Sequence, residues 1–121
     1  MVTADQIVEL AQSLPRSEPA IVRGSLRFRV RSIVWLALSA DETKMSFAFP
    51  REMREALVTT YPDKFQMPRP SELRWNWVVA TIANLDESEW RDIVLDAWRM
   101  VVPKKVALAQ LADGRRTATG A

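Results

Sequence analysis

The chain has 121 residues, enough for one domain with one hydrophobic core but not for two. It contains no Cys and no His, which excludes disulfides, thiolate metal sites and imidazole general-base catalysis. Its formal net charge is +2, its hydrophobic content of 48% suits a packed globule, and no apolar run approaches the roughly 18 residues of a membrane span. The N-terminus lacks a basic segment followed by an apolar one, so a cytoplasmic protein with no membrane contact is expected. Charge is unevenly distributed. Arg16, Arg23, Arg27, Arg29 and Arg31 are opposed nearby only by Glu18, whereas Asp86, Glu87, Glu89, Asp92 and Asp96 are opposed nearby only by Arg91.

Thr3 followed by Gln6 is a capping box, and Val2 is placed to staple onto Ile7, so a helix is expected from residue 4. Ile7, Leu10, Ala11 and Leu14 form its inner face, and Pro15 ends it. Residues 16 to 24, with Pro19 and Gly24 around Ala20 to Val22, read as a connecting loop holding at most a short extended piece. Residues 26 to 38 then read as a hairpin. In its first strand Leu26, Phe28 and Val30 alternate with Arg27, Arg29 and Arg31, which puts apolar groups on one face and guanidiniums on the other. A two-residue turn at Arg31-Ser32 pairs Val30 with Ile33, Phe28 with Trp35 and Leu26 with Ala37. The next strand is expected over Lys44 to Phe49, and an odd loop, Asp41-Glu42-Thr43, is needed to put Met45, Phe47 and Phe49 on the face of Trp35.

Pro50 suits a first helical position, and Met53, Ala56, Leu57 and Thr60 give a second amphipathic helix that stops before Pro62. The proline-rich, basic stretch from 62 to 74 leaves room only for an edge strand near Phe65 to Met67. A long strand is expected from Trp75 to about Ala83, with Trp75, Trp77 and Val79 on one face and Asn76, Val78 and Ala80 on the other. Leu85, Asp86, Glu89 and Trp90 form a second staple and capping box, so the last helix starts at Glu87 and buries Trp90, Ile93, Val94, Ala97 and Val101. Pro103 ends or kinks that helix, Lys104 and Lys105 follow, and 112–121 reads as a disordered tail after a single domain over 1–111. The fold class is therefore α+β: two layers, an antiparallel sheet of about five strands against helices, in the order α-β-β-β-α-β-β-α.

That order resembles the MmcQ/YjbR family of small bacterial proteins over roughly residues 3 to 108. The resemblance is carried by Leu14-Pro15, by Phe28 and Val30, by Arg74-Trp75-Asn76-Trp77-Val78, and by the run from Ala97 to Lys105. It implies a CyaY-like fold, similar also to type III secretion chaperones, and a DNA-binding label. The chain departs from the family pattern at Arg74, where many relatives have His, and at Arg31-Ser32, where many have Gly-Lys.

Arginine forks match phosphate geometry, so Arg23, Arg27, Arg29, Arg31, Arg69 and Arg74, with Lys104 and Lys105, are the candidate DNA contacts. A solvated strand face with Arg stems lying over Val34 and Leu36 explains the hairpin arginines equally simply. Trp75 and Trp77 fit base stacking, but core packing is the commoner use of aromatics on a regular strand. Val34, Leu36 and Leu38, taken as the outer face of the hairpin, make an apolar patch suited to a partner such as a second copy of the chain. Two functions follow: a DNA-binding protein of weak sequence preference, or a homodimeric, chaperone-like interaction module without nucleic acid. No nucleophile sits beside a base, and two of the three glycines lie in the last eight residues, so neither an enzyme nor a phosphate loop is expected. Glu89, Asp92 and Asp96 read as a solvated helix face. The first helix offers only Asp5 and Glu9, against the dense carboxylate run of frataxin-like iron sites, so neither a metal nor a cofactor is expected.

Overall fold

The computed structural model describes residues 2–110; the expected tail at 112–121 lies outside the described residues. The elements are α1 (Ala4–Ser13), β1 (Glu18–Val22), β2 (Ser25–Val30), β3 (Ile33–Leu38), β4 (Lys44–Ala48), α2 (Arg51–Thr60), β5 (Phe65–Gln66), β6 (Trp77–Thr81) and α3 (Glu87–Arg99), followed by a helical run over 104–110. All strands pair antiparallel in one sheet of order β1-β2-β3-β4-β6-β5. The sheet is one strand larger than expected. The stretch read as a loop after Pro15 forms edge strand β1, and Pro19 is tolerated there because an edge strand can lack one ladder donor.

Local signals specify the helix starts. Thr3 and Gln6 make the expected capping box, and the stapled Val2 and Ile7 are both buried. Asp86 and Glu89 make the second box, between the buried Leu85 and Trp90. Glu89 also takes an ion pair from Lys64 at 3.1 Å, with Asp86 at 3.7 Å, so this carboxylate serves folding rather than a free acidic face. Its hydrogen bond raises the Lys64 pKa above the ordinary value.

The core lies between one sheet face and the layer of α1 and α3. It contains Phe28, Val30, Trp35, Leu36, Leu38, Met45, Phe47, Phe65, Val78 and Ala80 from the strands, against Ile7, Ala11, Trp90, Val94, Ala97 and Trp98. Trp98, absent from the expected helix stripe, is a central member. It donates its indole N–H to the Pro15 carbonyl at 2.9 Å, joining α3 to the end of α1.

Two register expectations are corrected by one irregularity. The turn at Arg31-Ser32 has two residues and Val30 does pair with Ile33, with Arg31 at φ 59°. Beyond it, however, Arg29 pairs with Val34 and Phe28 with Leu36, so Trp35 is the extra residue of a β-bulge. A bulge lets consecutive residues point the same way, and Trp35 and Leu36 are both fully buried. Phe28 still meets Trp35 at 6.3 Å between ring centroids, as diagonal neighbours rather than a facing pair. Between β3 and β4, Ser39 donates its N–H to the Lys44 carbonyl at 2.9 Å, leaving the four residues 40–43 inside that closing bond, and the register pairs Leu36 with Phe47. The closed loop is thus even where an odd one was expected, although Phe47 and Trp35 do share the buried face as expected. The bulge supplies the parity that the loop was expected to supply.

The bulge also removes the proposed dimer patch. Leu36 (0% exposed) and Leu38 (2%) lie in the core, leaving Val34 alone on the other face, so the homodimer surface through Val34, Leu36 and Leu38 does not exist.

Asp41 organises the β3–β4 loop. Its Oδ1 accepts from the Ser39 hydroxyl at 2.7 Å, the Thr43 hydroxyl at 2.8 Å and the Thr43 N–H at 3.1 Å. The Ser39 hydrogen bond above all, then those from Thr43, lower its pKa from 3.8 to about 2. A lowered carboxylate pKa stabilises the fold above the unfolded value, so this loop closure is fully present above pH 3.8 and is lost as pH falls through about 2. A carboxyl NMR titration of Asp41 should show a midpoint near 2; a midpoint at 3.8 would mean that the hydrogen bonds do not persist in solution.

Candidate nucleic-acid interface

The sheet face turned away from α1 and α3 carries the candidate site. Period-two alternation on β2 puts Phe28 and Val30 in the core and Arg27 and Arg29 on this second face. Cross-strand pairing then sets Arg27 opposite Ala37 and Arg29 opposite Val34. Arg29 also approaches Glu18 at 3.9 Å, a half-exposed pair that contributes little and leaves the guanidinium accessible.

On β6 the two faces divide as expected, but the face that packs in the core is the one without the tryptophans. Val78 and Ala80 are fully buried, paired with Phe47 and Met45, whereas Trp77 and Val79 are half-buried on the second face. The strand starts at Trp77, so Trp75 lies before it and is 56% exposed. Helix α2 explains why Trp75 is outside the ladder. Arg54, only 6% exposed, donates to the carbonyls of Leu73 at 2.6 Å, Trp75 at 3.0 Å and Trp77 at 3.0 Å. Arg51 adds a side-chain hydrogen bond to the Arg74 carbonyl, and its N–H donates to Asn76 Oδ1 at 3.1 Å. The segment 73–77 is thus tied to α2 by its carbonyls and by the Asn76 side chain, which leaves the side chains of Leu73, Arg74 and Trp75 exposed.

Arg54 also overturns the expected inner face of α2. Met53, Ala56 and Thr60 are exposed, and Leu57 and Val58 are only half-buried. The signal for Arg54 was its spacing of three and four residues from Leu57 and Val58, which places it on the inner stripe.

A groove of about 440 Å³ crosses the second face at the end of the sheet that carries the Arg31-Ser32 turn. It is lined by Arg27 and Val34 from the hairpin, Ala48 from β4, and Glu72, Trp75 and Trp77 from β6 and the segment before it. The Arg27 Nε is buried there without a hydrogen-bond partner. Arg74 lies over the Trp75 ring, 4.8 Å from its centroid, in a cation–π contact.

The fold brings together only part of the expected set. Arg27 lines the groove, Arg29 adjoins it on the same face, and Arg74 caps Trp75. Arg31 is exposed in the turn at the groove end, and Arg69 is exposed at the start of the short 3-10 turn Pro70–Glu72. Arg23, at φ 52°, sits in the β1–β2 turn at the opposite end of β2. Lys104 and Lys105 are exposed on the helical run whose Ala107 joins the core, so they belong to the helical layer, apart from Arg27 and Arg29. No helix among the described residues is long and apolar enough to cross a membrane.

The fold is similar to the crystal structure of Deinococcus radiodurans protein DR2400, described as a DUF419 domain. The TM-score is 0.73 at 18% sequence identity, covering 87% of this chain and 82% of that one. Among curated proteins no relative matches. Residues 12–100, from the end of α1 through α3, match the family model YjbR. A match over all six strands, α2 and α3 means that the chain belongs to the YjbR family.

Proposed function

We propose that this protein is a DNA-binding module of weak sequence preference, and that the second sheet face is its contact surface. The observation that carries this reading is the convergence of Arg27, Arg29 and Arg74 with the exposed Trp75 around one groove. Arginines spread along a strand reach phosphates, whose contacts fix position without reading sequence. The DNA-binding label that goes with the family resemblance points the same way. The competing dimer reading has lost its patch to the core.

Replacing both Arg27 and Arg29 with Ala is expected to weaken DNA binding about equally across sequences. The slope of log affinity against log salt should fall by roughly one to two units, about 0.9 for each phosphate contact removed. Folding should survive, because both side chains point away from the buried Phe28. Asp92→Lys, an exposed position on α3, should change binding much less. An unchanged salt slope in the double variant would place the contact surface elsewhere.

A further inference from the structure

Three features of the groove are not explained by folding. Trp75 is the most exposed of the aromatics that line it, yet its main chain is fixed by Arg54 and its ring is braced by Arg74. A large aromatic held rigid at the surface loses little entropy when a flat partner stacks on it. Arg27 lines the groove with a guanidinium that has no carboxylate partner among the described residues, a charge that an anion entering the groove would meet. Trp77 and Trp75 share the groove with Arg27, and its volume falls within the about 300–1,000 Å³ of small-ligand sites.

Resting on the DNA-binding reading above, we infer that this groove accepts one unpaired nucleotide of single-stranded DNA, its base on Trp75 and Trp77 and its phosphate on Arg27. A duplex hides its base faces in the stack, so it can meet Arg29 but cannot cover Trp75. Glu72 lines the groove together with the tryptophans. Its carboxylate repels phosphate and accepts hydrogen bonds from the ring N–H or amino donors of a base, which sets the base toward β6 and the phosphate toward β2. The arrangement tolerates any base, since every base has a stacking face.

The test is a fluorescence titration at about 50 mM salt with an oligothymidylate of about 15 nucleotides, its duplex with oligodeoxyadenylate, and the matching oligouridylate. The wild-type protein should bind the single strand more tightly than the duplex and quench tryptophan emission as it does so. Trp75→Ala should lose about ten-fold in single-strand affinity, the order of one stacking platform, with little change for the duplex. Trp75→Phe should restore most of that loss. Because Trp75 is exposed, circular dichroism should show all these variants folded. Equal binding of strand and duplex, unaffected by Trp75→Ala but weakened by Arg29→Ala, overturns the single-nucleotide groove while leaving the DNA-binding reading intact. Tighter binding of oligouridylate than of oligothymidylate overturns DNA as the occupant. No binding of any of the three at micromolar protein overturns both readings.

Discussion

Trp98→Ala should lower the unfolding free energy by about 3–5 kcal/mol, the usual loss when a fully buried tryptophan is truncated. The side chain is 1% exposed among Val94, Ala97 and the sheet, where little can collapse into the space it leaves. It also carries the indole hydrogen bond to the Pro15 carbonyl, a contact that closes most of the chain into one unit. Domains of this size are stable by about 5–15 kcal/mol, so the variant should lie near its unfolding midpoint in mild urea. Trp98→Phe separates the two contributions. It keeps most of the volume and loses the donor, and should cost roughly 1 kcal/mol for the hydrogen bond plus a partial cavity. Urea denaturation that shows less than about 1 kcal/mol for Trp98→Ala would mean that α3 is peripheral to the core.

Arg54→Ala should cost about 2–4 kcal/mol, since it leaves three carbonyl groups without the donor that satisfies them. Arg54 has no carboxylate partner among the described residues; its charge is met by main-chain oxygens alone. Arg54→Lys should recover only a small part of the loss, because one ammonium cannot reproduce a planar fork that reaches carbonyls on Leu73, Trp75 and Trp77 together. Arg54→Met tests the contribution of the stem, keeping the apolar packing while removing every donor. If Lys restores wild-type stability, the fork geometry is not what holds segment 73–77. Oligonucleotide affinity should fall in step with stability in this series, because Arg54 positions the Trp75 main chain without reaching the groove itself.

Much of the fold was legible because local chemistry and global packing agree in this chain. Both capping boxes start helices where the residues say they should, and the alternation of Leu26 to Arg31 separates the buried and basic faces of β2 correctly. Failures cluster where a side chain's direction depends on a distant element. The bulge at Trp35 inverts the facing of Leu36 and Leu38, and nothing in Ile33-Val-Trp-Leu-Ala-Leu38 distinguishes a bulged from a regular run of apolar residues. The same holds for Arg74-Trp-Asn-Trp77. Two tryptophans at a spacing of two look like a core strand, and only the three bonds from Arg54 show that the ladder begins later. Of the candidate site, the arginines could be found by alternation, whereas the groove could not. It is assembled from β2, β3 and β4 with β6 and the segment before it, and these last are separated from the hairpin by α2 and β5 and joined to it only by sheet order.

The central claim is that the sheet face turned away from α1 and α3 meets nucleic acid, and amide shift mapping by NMR tests it most directly. On titration with a short oligodeoxynucleotide at low salt, the perturbed amides should cluster in residues 25–37 and 69–77, with α3 and the 104–110 run largely silent. Shifts centred on α3 or on Lys104 and Lys105, with the hairpin and segment 69–77 unmoved, would contradict the account.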